Sequence, residues 1–287
     1  MSQLKFINEP FEITLGHNLT IRGETKAIHD NNKKPILIVC HGFKAFKDWG
    51  FFPYITDWFA EHGFFTIHFN FSRNGVNRTD FDELDKFADN TYSQDQMDLD
   101  AIVTHIRAGA LPQLSSADPH RIYLLGHSRG GANALIYALD HSEINAVVTW
   151  NGSANPNLFD EAFEAEVLEK GIAYTENART KQQMPIKAAF FNDLHQNGER
   201  FNIIHRFSSL QAPAMIIQGD KDFNRLLYGA GKLREAAPHQ THISIAGGTH
   251  TLGATHPFAG TTPCLEEALK ITYDFLILKG DKEHKPK

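Results

Sequence analysis

The apolar positions of this chain fall into two recurring patterns. A short unbroken run occurs at Ile36-Leu37-Ile38-Val39-Cys40, and further strands are expected from Phe64 to Phe69 and at 121–126, 145–150, 213–218 and 241–246. Runs of this kind, bounded by turn residues, read as strands buried on both faces of a parallel sheet. Segments with helical spacing lie between them. In 50–62, Phe52, Ile55, Trp58 and Phe59 share a face and Gly63 is a stop signal. In 92–108, Leu99, Ile102, Val103 and Ile106 form one stripe. Pro263 opens a last helix with Leu265, Ala268, Leu269 and Leu276 on one face. Strand and helix in alternation predict an α/β fold, a mostly parallel sheet covered on both sides.

The pattern changes near the N-terminus. FEITL (11–15) alternates apolar and polar, and Leu19-Thr20-Ile21 resumes after Gly16-His17-Asn18, which predicts a hairpin. Two stretches break the rhythm. Residues 72–91 are polar and acidic and too long for a simple connection; their acidic run 80–89 reads as a solvated insertion. Residues 151–212 separate two strands by far more than one helix requires. The expectation is a core formed by 1–150 and 213–287, with 151–212 as a lid. Phe159, Phe163, Phe190 and Phe191 in that lid either line a pocket or hold it to the sheet.

The chemistry concentrates at RIYLLGHSRGGANAL (121–135). An apolar strand runs into Gly126-His127-Ser128-Arg129-Gly130 and then into helix-compatible residues. A strand that reverses into a helix this fast forces its central residue into a strained turn, and Gly126 and Gly130 leave the room it needs. The result is an exposed Ser128 hydroxyl beside a helix N-terminus, with the Arg129 amide free to donate to an oxyanion. This is the nucleophile elbow.

With these residues, the chain resembles the α/β-hydrolase family over nearly its whole length. The resemblance is closest to the esterase branch that includes cinnamoyl and feruloyl esterases and dienelactone-hydrolase-like proteins. It implies an α/β-hydrolase fold with a helical lid insertion and serine-ester chemistry through an acyl-enzyme. His41-Gly42-Phe43 follows the first long buried strand like that branch's oxyanion motif, which gives the Phe43 amide the second donor role. The family order of serine, acid, histidine selects Asp222, in Gly219-Asp220-Lys221-Asp222, and His250, in Gly247-Gly248-Thr249-His250. Asp220 and His256 are the alternatives. His41, Gly42, Trp150 and Asn151 are the candidates for substrate contact. His17, Lys44 and Arg129 are candidates for attracting an anionic group. Dienelactone hydrolases carry a cysteine at the elbow, where this chain has Ser128.

Composition narrows the alternatives. A formal net charge of -6 disfavours nucleic-acid and polybasic membrane-surface binding. No window reaches the apolar length of a membrane span, and MSQLKFINEP lacks the form of a leader, which together predict a cytoplasmic protein. Cys40 and Cys264 make neither a disulfide framework nor a zinc set. No HExxH, calcium loop, phosphate loop or dinucleotide fingerprint occurs, so neither metal nor cofactor is expected. The expected partner is a small-molecule ester, and the chain a monomer or homodimer. A thioesterase, acyltransferase or small peptidase would use the same triad, and a non-catalytic binding protein could share the scaffold.

Overall fold

The computed structural model of the protein describes residues 5–30 and 32–280. Residues 1–4, on which part of the leader reading falls, lie outside them. The strands are β1 (Lys5–Gly16), β2 (Leu19–His29), β3 (Lys34–Cys40), β4 (Phe65–Asn70), β5 (Ala117–His127), β6 (Ile144–Trp150), β7 (Ile172–Glu176), β8 (Gln183–Lys187), β9 (Ala214–Gly219) and β10 (Thr241–Ile245). Eight of them form one sheet in the order β1-β2-β4-β3-β5-β6-β9-β10. From β4 onward in that order the strands are parallel; β2 is antiparallel to both neighbours. The α-helices are α1 (Phe52–Glu61), α2 (Leu84–Ala88), α3 (Tyr92–Arg107), α4 (Arg129–Asp140), α5 (Glu161–Lys170), α6 (Ala188–Gln196), α7 (Ile203–Arg206), α8 (Asn224–Ala236) and α9 (Pro263–Gly280).

Alternation along the strands divides the core. Ile36, Ile38 and Leu124 point to one face, where Leu99, Ile102, Leu135 and Ile136 of α3 and α4 cover them. Leu37, Val39, Tyr123 and Leu125 point to the other, under Phe52, Ile55 and Phe59 of α1 and Leu265 and Leu269 of α9. All residues of β3 and β4 are buried, as continuous apolar runs require. The N-terminal hairpin is longer than the short alternating runs indicate. Its outer strand holds Pro10 opposite Glu24, a position an edge strand tolerates because no ladder bond is lost.

The 151–212 segment supplies α5, the β7–β8 hairpin, α6 and α7. Phe190 and Phe191 are fully buried and Phe159 stacks on Phe163, so these aromatics hold the segment together and onto α3 and α4. The polar stretch ENARTKQQMP is the end of that hairpin. Asn177 Oδ1 accepts the Arg179 and Thr180 amides at 3.0 and 3.3 Å. Arg179 pairs with Asp80, Gln182 Nε2 donates to Phe81 O at 3.3 Å, and Lys44 Nζ donates to Thr175 Oγ1 and Glu176 O.

The acidic stretch 80–89 is not a solvated loop. Phe81 and Phe87 are buried beneath the hairpin, and Asp82 folds its own turn by accepting the amides of Asn77, Arg78 and Thr79. Charge made the stretch read as solvent-facing, but two phenylalanines six apart anchor it.

Candidate active site

Ser128 sits between β5 and α4 with φ 56° and ψ −121°. Holding a serine there costs on the order of 1–3 kcal/mol, and the packing leaves no other choice. A Cβ on Gly126 would lie 2.1 Å from Gly130 O, and one on Gly130 would lie 2.2 Å from Cys40 O. The two glycines let the turn close against the end of β3. Ser128 alone of this stretch is partly exposed; His127 and Arg129 are buried.

His250, on the loop after β10, places Nε2 3.0 Å from Ser128 Oγ and Nδ1 2.9 Å from Asp222 Oδ1. A carboxylate can only accept, so Nδ1 carries the proton and the Nε2 lone pair faces the serine hydroxyl. Burial pushes the Asp222 carboxyl upward, but hydrogen bonds from His250, Gln218 Nε2 and the Phe223 amide outweigh it and hold it below the usual range. Asp220 does something else. Its Oδ1 accepts the Gly247 amide at 2.7 Å and closes the turn after β10.

The loops bearing Asp222 and His250 are joined by Asn151, which is fully buried at the end of β6. Its Nδ2 donates to Thr249 O and His250 O, each at 2.9 Å. Its Oδ1 accepts Gly219 N at 2.7 Å and Gln218 Nε2 at 3.1 Å. His127 adds a third tether, donating from Nε2 to His250 O at 2.8 Å. Burial pushes His127 down to about 3.

Gly42 brings the loop after β3 against the serine: a Cβ there would lie 3.1 Å from Ser128 Cβ. The next amide, Phe43 N–H, has no acceptor among the described residues. The Arg129 N–H is the first of α4, one of the donors a helix leaves without an internal partner. His41 shapes the loop from within. Its Nδ1 donates to Gly42 O at 2.9 Å, its Nε2 accepts the Phe71 amide at 3.3 Å, and burial pushes it down to about 4.

The Arg129 side chain runs inward rather than toward solvent. Nη2 lies 2.9 Å from Asp95 Oδ2, Nη1 donates to Asn90, and the guanidinium rests 4.6 Å from the Tyr92 ring centre. The Nη2 contact is an ion pair whose angle falls short of a hydrogen bond. Asp95 thus balances the charge expected to attract an anion.

A family profile described as the alpha/beta hydrolase fold matches residues 35–175. This chain has the α/β-hydrolase fold. Among solved structures with it, DcsB in complex with its substrate analogue is similar with a TM-score of 0.72 at 17% identity, covering 96% of this chain and 100% of that one. Est1E from Butyrivibrio proteoclasticus gives 0.67 at 15%, covering 94% and 98%. A dienelactone hydrolase from Anabaena variabilis gives 0.61 at 12%, covering 96% and 98%. No curated protein sequence matches the chain.

Within this α/β-hydrolase fold the expected residues separate into groups. Ser128, Asp222 and His250 come together, and Gly42, next to Phe43, packs against the serine. Trp150 does not join them: it is fully buried on the far face of the sheet, where Nε1 donates to Thr272 Oγ1 at 2.9 Å. Asn151 is a clamp rather than a pocket wall, because β6 ends level with both loops that need holding. His41 lines a cavity behind the loop, but both ring nitrogens are engaged in shaping it. His256 accepts the Gly50 amide at 2.7 Å and stacks on Trp49. Lys44 ties the loop to β7, and His17 lies in the turn of the edge hairpin.

One titratable group went unnoticed in the sequence. Glu24, Asp48 and His68 lie close enough to share a cation. Lys47 Nζ stands among them, 2.5 Å from Glu24 Oε1 and 2.7 Å from Asp48 Oδ1. Among the described residues, no helix is long and apolar enough to cross a membrane.

Proposed function

We propose that this chain is a serine hydrolase that cleaves small to medium carboxylic esters through an acyl-enzyme. The observation that carries this reading is the unbroken line from Asp222 Oδ1 through His250 to Ser128 Oγ, with contacts of 2.9 and 3.0 Å, ending at a serine on a strained turn. His250 Nε2 takes the Ser128 proton as the oxygen attacks the carbonyl carbon. Asp222 holds the ring in the required tautomer and stabilises its charged form. The Phe43 and Arg129 amides receive the oxyanion. The alcohol departs with the proton from His250, and water activated by the same ring releases the acid. In this reading 151–212 is a lid, its hairpin pinned to Lys44 and Phe81 beside the oxyanion loop.

The test is hydrolysis of p-nitrophenyl acetate, butyrate and octanoate by wild type and Ser128→Ala. Wild type cleaves the shorter esters, and the alanine variant falls to background. Activity retained by Ser128→Ala sinks the reading. Parallel assays on acyl-CoA thioesters and aminoacyl amides distinguish the thioesterase and peptidase alternatives.

A further inference from the structure

Lys44 follows Phe43 directly and stands in the left-handed region, with φ 56°. A residue with a side chain seldom takes that state, and it persists where the surroundings fix it. The Ala45 amide donates to Gly42 O at 3.3 Å, which closes a turn with Phe43 and Lys44 at its tip. From that tip Lys44 Nζ reaches the β7–β8 hairpin. It donates to Thr175 Oγ1 at 3.0 Å and to Glu176 O at 2.7 Å, and it lies 5.4 Å from the centre of the Phe43 ring.

The two insertions grip the same turn from its other side. Phe159, in the 151–212 segment, meets the Phe43 ring edge-on at 5.8 Å, and Phe87 of α2 lies 5.4 Å from it. The hairpin is itself anchored to the 80–89 stretch. Arg179 pairs with Asp80, and Lys187 Nζ lies 2.9 Å from Asp89 Oδ2. The hairpin is therefore a fixed point to which the turn is tied, not a flap that follows it. An oxyanion donor works only where it points at the oxygen of the tetrahedral intermediate, and a displacement of about 1 Å can cost on the order of a hundredfold in rate.

We infer that Lys44 is a positioning residue, through which the β7–β8 hairpin holds the turn that carries the Phe43 amide. The inserted segment then sets the rate of the chemical steps rather than only access to the site. This inference rests on the ester-hydrolase reading, which gives the Phe43 amide its role, and deepens it.

The experiment measures kcat and KM for p-nitrophenyl butyrate with wild type, Lys44→Met, Lys44→Arg and Lys44→Gly. Alongside them it measures inhibition by a trifluoromethyl ketone, whose adduct with Ser128 carries an oxyanion. Lys44→Met keeps the length of the side chain and removes its donors. Its kcat is expected to fall roughly tenfold to a hundredfold with KM unchanged, and the ketone to bind more weakly by a similar factor. Lys44→Arg keeps donors for the hairpin and restores most of the rate. Lys44→Gly takes the left-handed backbone freely but has no tie, and stays low. Thr175→Val cuts one strand of the tie from the hairpin side, leaves the turn untouched and is expected to lower kcat several-fold; it decides the matter if Lys44→Met does not fold. A wild-type kcat in Lys44→Met, or a loss confined to KM, overturns the positioning role and leaves the ester-hydrolase reading standing. Full activity in Lys44→Gly assigns the effect to the backbone of the turn and overturns the tie. Absence of Ser128-dependent hydrolysis in wild type overturns both.

Discussion

The side chain of Asn151 holds the backbone of His250. Its Nδ2 lies 2.9 Å from His250 O, while its Oδ1 accepts from Gly219 N, three residues before Asp222. One buried amide thus fixes the spacing between the proposed base and its acid. Replacing it with alanine leaves the Gly219 amide without its acceptor and strips one donor each from Thr249 O and His250 O, which keep the Leu252 amide and His127 Nε2. Asn151→Ala is expected to lose about 1–3 kcal/mol of stability and, in the folded fraction, to lower kcat by roughly tenfold to a hundredfold with little change in KM. Denaturation curves and steady-state kinetics on one preparation check both; an unchanged kcat refutes the clamp.

The two aspartates after β9 make opposite predictions. Asp222→Asn removes the acceptor that fixes the His250 tautomer, and kcat is expected to fall on the order of 10⁴-fold. Asp220→Asn only weakens the cap on Gly247 and is expected to cost less than about 1 kcal/mol of stability, with activity near wild type. Ester hydrolysis by the two variants side by side decides the assignment; a reversed order moves the acid to Asp220.

Acid lability follows from buried imidazoles. Burial holds His127 near 3 and His41 near 4, against an ordinary value of 6.5. Both are therefore neutral when folded and take up protons more readily when unfolded. Their contribution is complete above about pH 6.5 and is lost as pH falls toward 4 and then 3. The urea midpoint should drop across that window. In His127→Gln, which keeps a donor for His250 O, the drop should be shallower; an identical profile removes His127 from the account.

The Arg129–Asp95 pair, with both side chains 6% exposed, is costly to break from one side. Asp95→Leu strands a buried guanidinium and is expected to cost about 3–5 kcal/mol. The double variant Asp95→Leu/Arg129→Met removes both charges and should recover much of that loss. Urea denaturation of the single and double variants measures the difference, and no recovery would show that shape rather than charge dominates.

Much of this architecture was legible because it depends on local pattern. The unbroken runs at 36–40 and 213–218 permit only buried strands, and Gly126 and Gly130 permit only a tight turn. The meeting of Ser128, Asp222 and His250 was readable because each follows an expected strand, where a parallel sheet must present its loops together. Trp150 and Asn151 follow a run too, but a strand end offers two faces and an interior, and sequence does not say which one a residue takes. The acidic 80–89 stretch misled for a related reason: Phe81 and Phe87 find their burial only against a hairpin a hundred residues away. Arg129 needed Asp95 and Asn90, on other elements, before its charge could be understood.

Ser128 and His250 are 122 residues apart in the chain and meet only across the finished sheet. No fragment of the fold can assemble the pair, since β5, β9 and the turn after β10 must all be in register first. Under the proposed function, turnover is then a gauge of global integrity. As denaturant rises, loss of ester hydrolysis and loss of the packed core should trace a single curve, and refolded material should regain activity no sooner than its last strand docks.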